Sequence, residues 1–255
     1  MFIDTHCHLD FKDFDLDRKE VIQRAKEEGI DYIINVGSSL EGSEKSLKLA
    51  KEYEFIFASV GFHPHEADNF NEEIKDKLKL LAQDKKVVAI GEVGLDYFKN
   101  YALKENQREV FSQLIDIAKE LNLSLIIHSR QSAKDTLEIL REKKPKKVVI
   151  HCFSYDHYFL ETFLKEGFFI SFTANITYKN AKELRQLVKE TPLERIMLET
   201  DAPFLAPHPL RGKRNEPSYL RYLGEAISEI KGISLEELAQ ITTQNAKNFF
   251  NLNEK

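Results

Sequence analysis

The stretch VFSQLIDIAKELNLSLIIHSR, residues 110–130, decides the fold that this sequence predicts. Its first half repeats apolar residues with the period of an amphipathic helix, at Val110, Leu114, Ile117, Ala118 and Leu121. Its second half, residues 123–128, is rich in Leu and Ile and contains the apolar run 125–127, which is typical of a strand covered on both faces. A helix followed directly by such a strand is the repeating unit of a parallel α/β sheet.

The same alternation of short β-rich runs and longer amphipathic stretches occupies the whole chain. The predicted strands are residues 2–6, 31–36, 56–60, 87–91, 123–128, 147–151, 168–172 and 195–200. Eight strands alternating with helices indicate an α/β fold, and a TIM (β/α)8 barrel is its simplest closure at about 250 residues. An open doubly wound sheet is the alternative. No Ser/Gly-rich linker divides the sequence, so we expect a single domain over residues 1–255.

The composition excludes several classes of protein. The 255 residues carry a formal net charge of -5 and include two cysteines, too few for a disulfide scaffold of this length. No apolar run approaches the roughly 20 residues that span a bilayer. The N-terminal residues also lack the pattern of a signal peptide, so we expect a cytoplasmic protein without membrane contact. Because the charge is mildly acidic, any contact with nucleic acid must depend on a local site.

Histidines are concentrated where the predicted strands end. Six of the eight lie at or just beyond the C-terminal end of a strand: His6, His8, His63, His65, His128 and His151. In a closed barrel these ends meet at one face, so residues that are distant in sequence become neighbours. His6 and His8 are two residues apart, so they point to the same side of their strand. The pattern predicts a cluster of imidazoles at the C-terminal face of the barrel.

Carboxylates follow strands four and eight at the same level, at Glu92 and Asp201. Imidazole nitrogens and carboxylate oxygens together bind divalent metal ions. Four imidazoles with two carboxylates exceed one tetrahedral site and suit two ions that share a bridge. We expect Glu92 to be that bridge, because it has two oxygens and its strand lies between the two groups of histidines. The predicted cofactors are therefore two divalent ions, of Mg, Mn or Zn.

Seven motifs follow one another along nearly the whole chain. They are DTHCHLD (residues 4–10), GFHPH (61–65), IGEVGLDY (90–97), HSR (128–130), HCFS (151–154), ETDAP (199–203) and RNEP (214–217). This ordered set resembles the TatD family of metal-dependent deoxyribonucleases, within the amidohydrolase superfamily. The resemblance implies a TIM barrel with two divalent ions that hydrolyses phosphodiester bonds in DNA, typically from a 3′ end. It also implies a set of metal ligands, namely His6, His8, Glu92, His128, His151 and Asp201.

The catalytic roles are expected to fall on Asp201 and Glu92. By resemblance to this superfamily, Asp201 binds one ion and accepts a proton from the attacking water. Glu199 lies two residues earlier on the same face of the strand. It could orient a ligand imidazole by accepting a hydrogen bond from the ring nitrogen that does not bind the metal, or it could pair with a buried basic group inside the barrel.

The residues expected to contact substrate lie in the loops after the strands. His63, Arg130 and Arg214 could bind phosphate oxygens, and Tyr155 could stack on an unpaired base. Tyr155 stands where the TatD family commonly has Gly, which changes the loop after strand six. His65 follows Pro64 in an uncertain direction, so the sequence assigns it no role.

Three functions are compatible with these residues. The first is the deoxyribonuclease, which would act on single-stranded DNA or on frayed ends, with RNA as a further substrate. The second is a metal-dependent amidohydrolase or lactonase, or an aminoacyl-tRNA deacylase, because the same ions polarise a carbonyl equally well. The third is a non-catalytic scaffold, which predicts that at least one ligand is missing, whereas the ligand set is complete. No feature of the sequence indicates an obligate protein partner.

Overall fold

The computed structural model of the chain describes residues 1–99 and 101–252. Within them, the strands are β1 (Phe2–Cys7), β2 (Ile30–Val36), β3 (Ile56–Val60), β4 (Val87–Asp96), β5 (Ser124–Arg130), β6 (Val148–Ile150), β7 (Phe169–Phe172) and β8 (Ile196–Leu198). The helices are α1 (Arg18–Glu27), α2 (Leu40–Glu52), α3 (Glu72–Leu81), α4 (Lys104–Glu120), α5 (Ala133–Lys143), α6 (His157–Lys165), α7 (Lys182–Glu190), α8 (Leu220–Lys231) and α9 (Leu235–Phe250). None of the helices in this described part combines the length and the apolar character that crossing a membrane requires.

The strands form one sheet whose order follows the chain from β1 to β8. The pairs β1–β2, β3–β4, β4–β5, β5–β6 and β7–β8 are all parallel. The last strand also returns to the first, because Cys7 of β1 forms a parallel bridge to Ala202 just after β8. A parallel sheet in chain order whose two ends pair, with helices between its strands, is a TIM barrel. The predicted (β/α)8 fold is confirmed.

The chain divides into two compact units. The first comprises Met1–Asn35 and Cys152–Asn248, and it contains β1, most of β2, β7 and β8. In this unit the hydroxyl of Thr5 donates to the carbonyl oxygen of Leu198 at 3.0 Å, which ties β1 to β8. The expectation of a single domain over residues 1–255 stays a prediction.

The second unit comprises Val36–His151 and the C-terminal segment from Phe249, and it contains β3 to β6. Its core includes the fully buried Ile90 and Phe111, which lie on β4 and α4. The hydroxyl of Ser124 at the start of β5 donates to the carbonyl oxygen of Phe249 at 2.6 Å, so the end of α9 is held against this unit.

Strand β4 is longer than the sequence predicts, because it continues past Gly91 to Asp96. Its last residues pair with β5, with Gly94 opposite His128. A glycine suggests a turn, but here Gly94 permits a close approach between strands. A Cβ atom at this position would lie 1.9 Å from the carbonyl oxygen of His128. The backbone φ of Gly94, +144°, is also one that other residues rarely adopt.

Candidate metal centre

Three imidazoles in the second unit surround one carboxylate oxygen of Glu92. The Oε1 atom of Glu92 lies 2.8 Å from Nδ1 of His128 and 3.1 Å from Nε2 of His151. Nε2 of His63 lies 3.6 Å from the same oxygen. Burial opposes ionisation of Glu92, but the surrounding imidazoles outweigh it and hold the pKa well below its ordinary value. Glu92 is therefore an ionised carboxylate within β4. We call these four residues the Glu92 cluster.

A second carboxylate, Asp96, forms hydrogen bonds with two histidine rings. Its Oδ2 atom lies 2.9 Å from Nε2 of His65 and 3.2 Å from Nε2 of His128. Its Oδ1 atom accepts the backbone N–H groups of Phe98 and Lys99. Burial opposes ionisation, but these hydrogen bonds lower the pKa of Asp96. Because an ionised carboxylate only accepts hydrogen bonds, it directs an N–H of each ring toward itself, which leaves Nδ1 of His128 as the nitrogen that could bind an ion.

Asp96 is a residue that the sequence analysis left without a role. The predicted strand ended at Gly91, whereas β4 continues to Asp96. Residues four apart in a strand lie on the same face, so Asp96 points to the same side as Glu92. The spacing of these two carboxylates was the signal, and it becomes readable only when β4 is extended to its full length.

His63 presents an N–H group to the Glu92 cluster. Its Nδ1 atom accepts the backbone N–H of His65 at 3.2 Å, so this nitrogen carries a lone pair. Burial lowers the pKa of His63 to about 3, so the ring is neutral and its proton is on Nε2. That nitrogen faces Oε1 of Glu92. In this tautomer His63 is a hydrogen-bond donor, which agrees with the predicted contact to a phosphate oxygen.

The first unit carries two further imidazoles beside a carboxylate. The Nε2 atoms of His6 and His8 lie 3.1 Å apart. Oδ1 of Asp201 lies 3.8 Å from the first of these nitrogens and 3.6 Å from the second. The backbone N–H of Asp201 donates to the carbonyl oxygen of His6 at 2.9 Å, which places Asp201 beside β1. Two imidazole nitrogens this close need either a proton or a cation between them.

Two buried carboxylates support this second group. One oxygen of Glu199 lies 4.0 Å from Nδ1 of His6, and the other accepts the backbone N–H of Cys152 at 2.7 Å. Asp4 accepts both the backbone N–H and the hydroxyl of Thr200, at 2.9 and 2.6 Å. Burial raises the pKa of Asp4 to about 7. The placement of Glu199 suits its predicted role behind a ligand imidazole, which stays a prediction.

The donor atoms of both groups fit divalent metal ions. Such ions need ionised carboxylates and imidazole nitrogens that carry a lone pair. Glu92 is ionised, and Nδ1 of His128 and Nε2 of His151 lie 2.8 and 3.1 Å from its Oε1 atom. The nitrogen and oxygen set suits ions such as Zn or Mn, and its carboxylates also accept Mg.

Two arginines predicted to bind phosphate are placed very differently. Arg130, at the end of β5, is exposed, and its guanidinium lies 4.0 Å above the ring of Phe98. Arg214 instead donates to both carboxylate oxygens of Asp17 at 2.7 Å. Because that ion pair already engages the planar fork of Arg214, its position indicates a structural role. A phosphate contact by Arg214 stays a prediction.

Tyr155 packs within a group of aromatic rings at the start of α6. Its ring centroid lies 5.8 Å from that of Phe153 and 5.5 Å from that of Phe159. The ring is neither buried nor fully exposed. Stacking of Tyr155 on a base would therefore compete with these contacts, and it stays a prediction.

Comparison with known proteins agrees with this chemistry. A family model described as TatD related DNase matches residues 3–251. The chain belongs to the TatD-related DNase family. It is 44% identical over 255 residues to the Bacillus subtilis (strain 168) protein named uncharacterized metal-dependent hydrolase YabD, covering 99% of this chain and 100% of that protein. The chain is therefore a TatD-family metal-dependent hydrolase.

Two further relatives support the same assignment. The Erwinia tasmaniensis protein named 3'-5' ssDNA/RNA exonuclease TatD is 35% identical over 257 residues, covering 98% of this chain and 99% of that protein. The crystal structure of YJJV, a TatD homolog from Escherichia coli K12, superimposes with a TM-score of 0.93 at 31% identity, covering 98% of each chain. The fold and the sequence thus point to one TatD-family enzyme.

Proposed function

We propose that this TatD-family hydrolase cleaves phosphodiester bonds of single-stranded DNA from the 3′ end, with RNA as a further substrate. The observation that carries the proposal is the full-length similarity to the relative named 3'-5' ssDNA/RNA exonuclease. The Glu92 cluster supports it, because a displacement at phosphorus needs concentrated positive charge at one place. A cytoplasmic location, expected from the low cysteine content, belongs to the same proposal.

The residues that would hold two divalent ions are His6, His8, Glu92, His128, His151 and Asp201. Glu92 would serve as the shared carboxylate, since it is ionised and its Oε1 atom faces three imidazoles. Divalent ions, when bound, acidify water and neutralise the charge that develops on phosphate oxygens. Asp96 holds the ring of His128 by its Nε2 atom, which would leave Nδ1 to bind an ion.

The side chains of the centre divide the remaining work. Asp201, with a side chain 14% exposed, would accept a proton from the attacking water. His63 would donate its Nε2 proton in a hydrogen bond to a non-bridging phosphate oxygen, since burial keeps this ring neutral. Arg130 would attract the next phosphate along the strand from the exposed end of β5.

The decisive experiment follows a single-stranded oligonucleotide labelled at its 5′ end. With Mg, Mn or Zn added, we expect a ladder that shortens from the 3′ end and releases mononucleotides. Exhaustive chelation should abolish this activity, and restoring the ion should recover it. Activity that persists without any metal would overturn the mechanism.

A substrate panel tests the proposed reaction against carbonyl chemistry. It contains the labelled oligonucleotide, a lactone, an acyl ester and an aminoacyl-tRNA. We expect metal-dependent turnover of the oligonucleotide to exceed that of every carbonyl substrate. Faster hydrolysis of the lactone, the ester or the aminoacyl-tRNA would replace the nuclease assignment with the corresponding hydrolase.

A further inference from the structure

Beside the Glu92 cluster, the second unit exposes aromatic rings next to cations. Phe98 is 48% exposed and Tyr101 is 64% exposed. Lys99 lies between them in sequence, and Arg130 lies at the end of the adjacent strand β5. We call Phe98, Lys99, Tyr101 and Arg130 the stacking surface. Exposed aromatic side chains that lie close to cations offer a ligand both apolar faces and positive charge.

The cations of this surface lie against the rings. The guanidinium carbon of Arg130 is 4.0 Å from the centre of the Phe98 ring. The ammonium of Lys99 is 5.9 Å from the Phe98 ring and 5.8 Å from the Tyr101 ring. Across residues 1–99 and 101–252, no carboxylate pairs with Lys99 or Arg130 within 4.0 Å. Their positive charge therefore remains available to a polyanion, beside rings that offer apolar faces.

Direct contacts join the stacking surface to the candidate metal centre. The ring of Tyr101 meets that of His65 edge to face, with centroids 4.8 Å apart. His65 in turn lies 2.9 Å from Asp96, which also accepts the backbone N–H of Phe98. Asp96 therefore fixes the start of the loop that carries the rings and, through its other oxygen, the ring of His128. A strand lying on this surface would have its end close to the centre.

We propose that the stacking surface binds unpaired bases of the single-stranded DNA whose 3′ end is cleaved, an inference that rests on the proposed function. Every base offers a π-face to an aromatic ring, so stacking holds the strand without reading its sequence. Lys99 and Arg130 lie where they would neutralise the phosphates that link the stacked nucleotides. Bases of a duplex are already stacked on each other, so this surface selects single strands.

The test measures binding by fluorescence anisotropy, with the metal-loaded chain and a labelled phosphorothioate oligothymidylate that resists hydrolysis. The double variant Phe98→Leu/Tyr101→Leu keeps apolar side chains but removes both aromatic faces. We expect it to bind roughly tenfold more weakly, as is usual for the loss of stacked bases. Tyr222→Leu, which removes an aromatic ring from a residue on α8 that is 38% exposed, is the matched control and should bind as the wild type does.

An abasic oligonucleotide of the same length separates stacking from charge. We expect it to bind the wild-type chain weakly and to be indifferent to the double variant. Equal binding of the wild type to abasic and normal strands, or unchanged binding by a folded double variant, would overturn the proposal. A wild-type dimer in sedimentation that dissociates in the double variant would assign the rings to a second copy of the chain instead.

The salt dependence of binding tests the two cations without touching the rings. Lys99→Gln and Arg130→Gln should each reduce the slope of log affinity against log salt by about 0.7, the value for one single-strand phosphate contact. An unchanged slope in both variants would remove the cations from the surface. Base-dependent binding without hydrolysis of an unmodified strand would refute the proposed function but not the stacking surface. Hydrolysis with base-independent binding would refute only the stacking surface.

Discussion

The Glu92 cluster and an arginine network in the first unit satisfy their carboxylates in different ways. Arg24 donates to both oxygens of Glu216 at 2.9 and 2.7 Å, and Arg214 does the same for Asp17. A guanidinium carries a permanent positive charge, so this network is complete within the chain. An imidazole is charged only when it is protonated, and Asp96 and Glu92 raise the pKa of His128 against the opposing effect of burial. The comparison teaches that the positive charge facing Glu92 depends on a proton or on a bound cation, whereas the arginine network supplies its own.

The largest effect is expected from removing the charge of Glu92 while keeping its shape. Glu92→Gln should reduce the bound metal to fewer than two ions per chain and lower hydrolysis at least about 100-fold, since a carboxamide bridges ions poorly. Metal content by mass spectrometry and the rate of oligonucleotide shortening check both parts. A variant that retains two ions per chain would contradict the bridge.

The matched control is the same substitution in the arginine network. Glu216→Gln should leave the metal content unchanged, because Glu216 faces Arg24 and no imidazole. It should lower the free energy of unfolding by about 1–2 kcal/mol, a modest value because the Arg24 side chain is 43% exposed. If both substitutions changed metal content alike, the contrast between the two groups would fail.

A smaller effect is expected from Asp96, which touches the centre only through histidine rings. Asp96→Asn should weaken metal affinity by about 10–100-fold, the usual result when the partner behind a ligand histidine is lost. Competition with a chelator of known affinity measures the change. Asp135→Asn is the control, because the carboxylate of Asp135, on α5, pairs with Arg108 of α4 at 2.7 Å. Equal metal affinity in Asp96→Asn and the wild type would show that Asp96 is not needed to orient the ring of His128.

The smallest effect concerns pH and the arginine network. The hydrogen bond from Arg214 lowers the pKa of Asp17 from its ordinary 3.8. A lowered carboxyl pKa stabilises the fold above the unfolded pKa, and this stabilisation is lost as pH falls through the folded pKa. Arg214→Gln should therefore cost at most about 1 kcal/mol near pH 6, because both side chains are about a third exposed. Urea unfolding should show the difference from wild type shrinking below about pH 4. A difference that is constant down to pH 3 would contradict this account.

The fold was predictable because its signals are local. The helical period over residues 110–121 and the apolar run after it correspond to α4 and β5. The end of β4 was not predictable in the same way, since Gly91 and Gly94 look like turn residues. Glycine is needed at both positions because the backbone of β5 passes close by. Such a contact between two strands leaves no signal in the local sequence.

The candidate site was predictable in its residue types but not in its internal bonds. Glu92 follows an apolar run in the sequence, which indicated a carboxylate near the C-terminal face of the barrel. The contacts of its Oε1 atom with His128 and His151 agree with that interpretation. The proton on Nε2 of His63 depends on a backbone N–H two residues later, which needs coordinates to see. The partner of Arg214 is Asp17, 197 residues away, so no local pattern could separate a structural arginine from a phosphate-binding one.

The contact at Gly94 also limits how this enzyme can be re-engineered. A side chain there would push against the main chain of His128 and so separate the two strands that carry Glu92 and His128. Randomised libraries meant to admit bulkier substrates should therefore keep position 94 as glycine and vary the exposed residues Phe98 and Tyr101 instead. Substitutions at position 94 would disrupt the candidate metal centre before they altered selectivity.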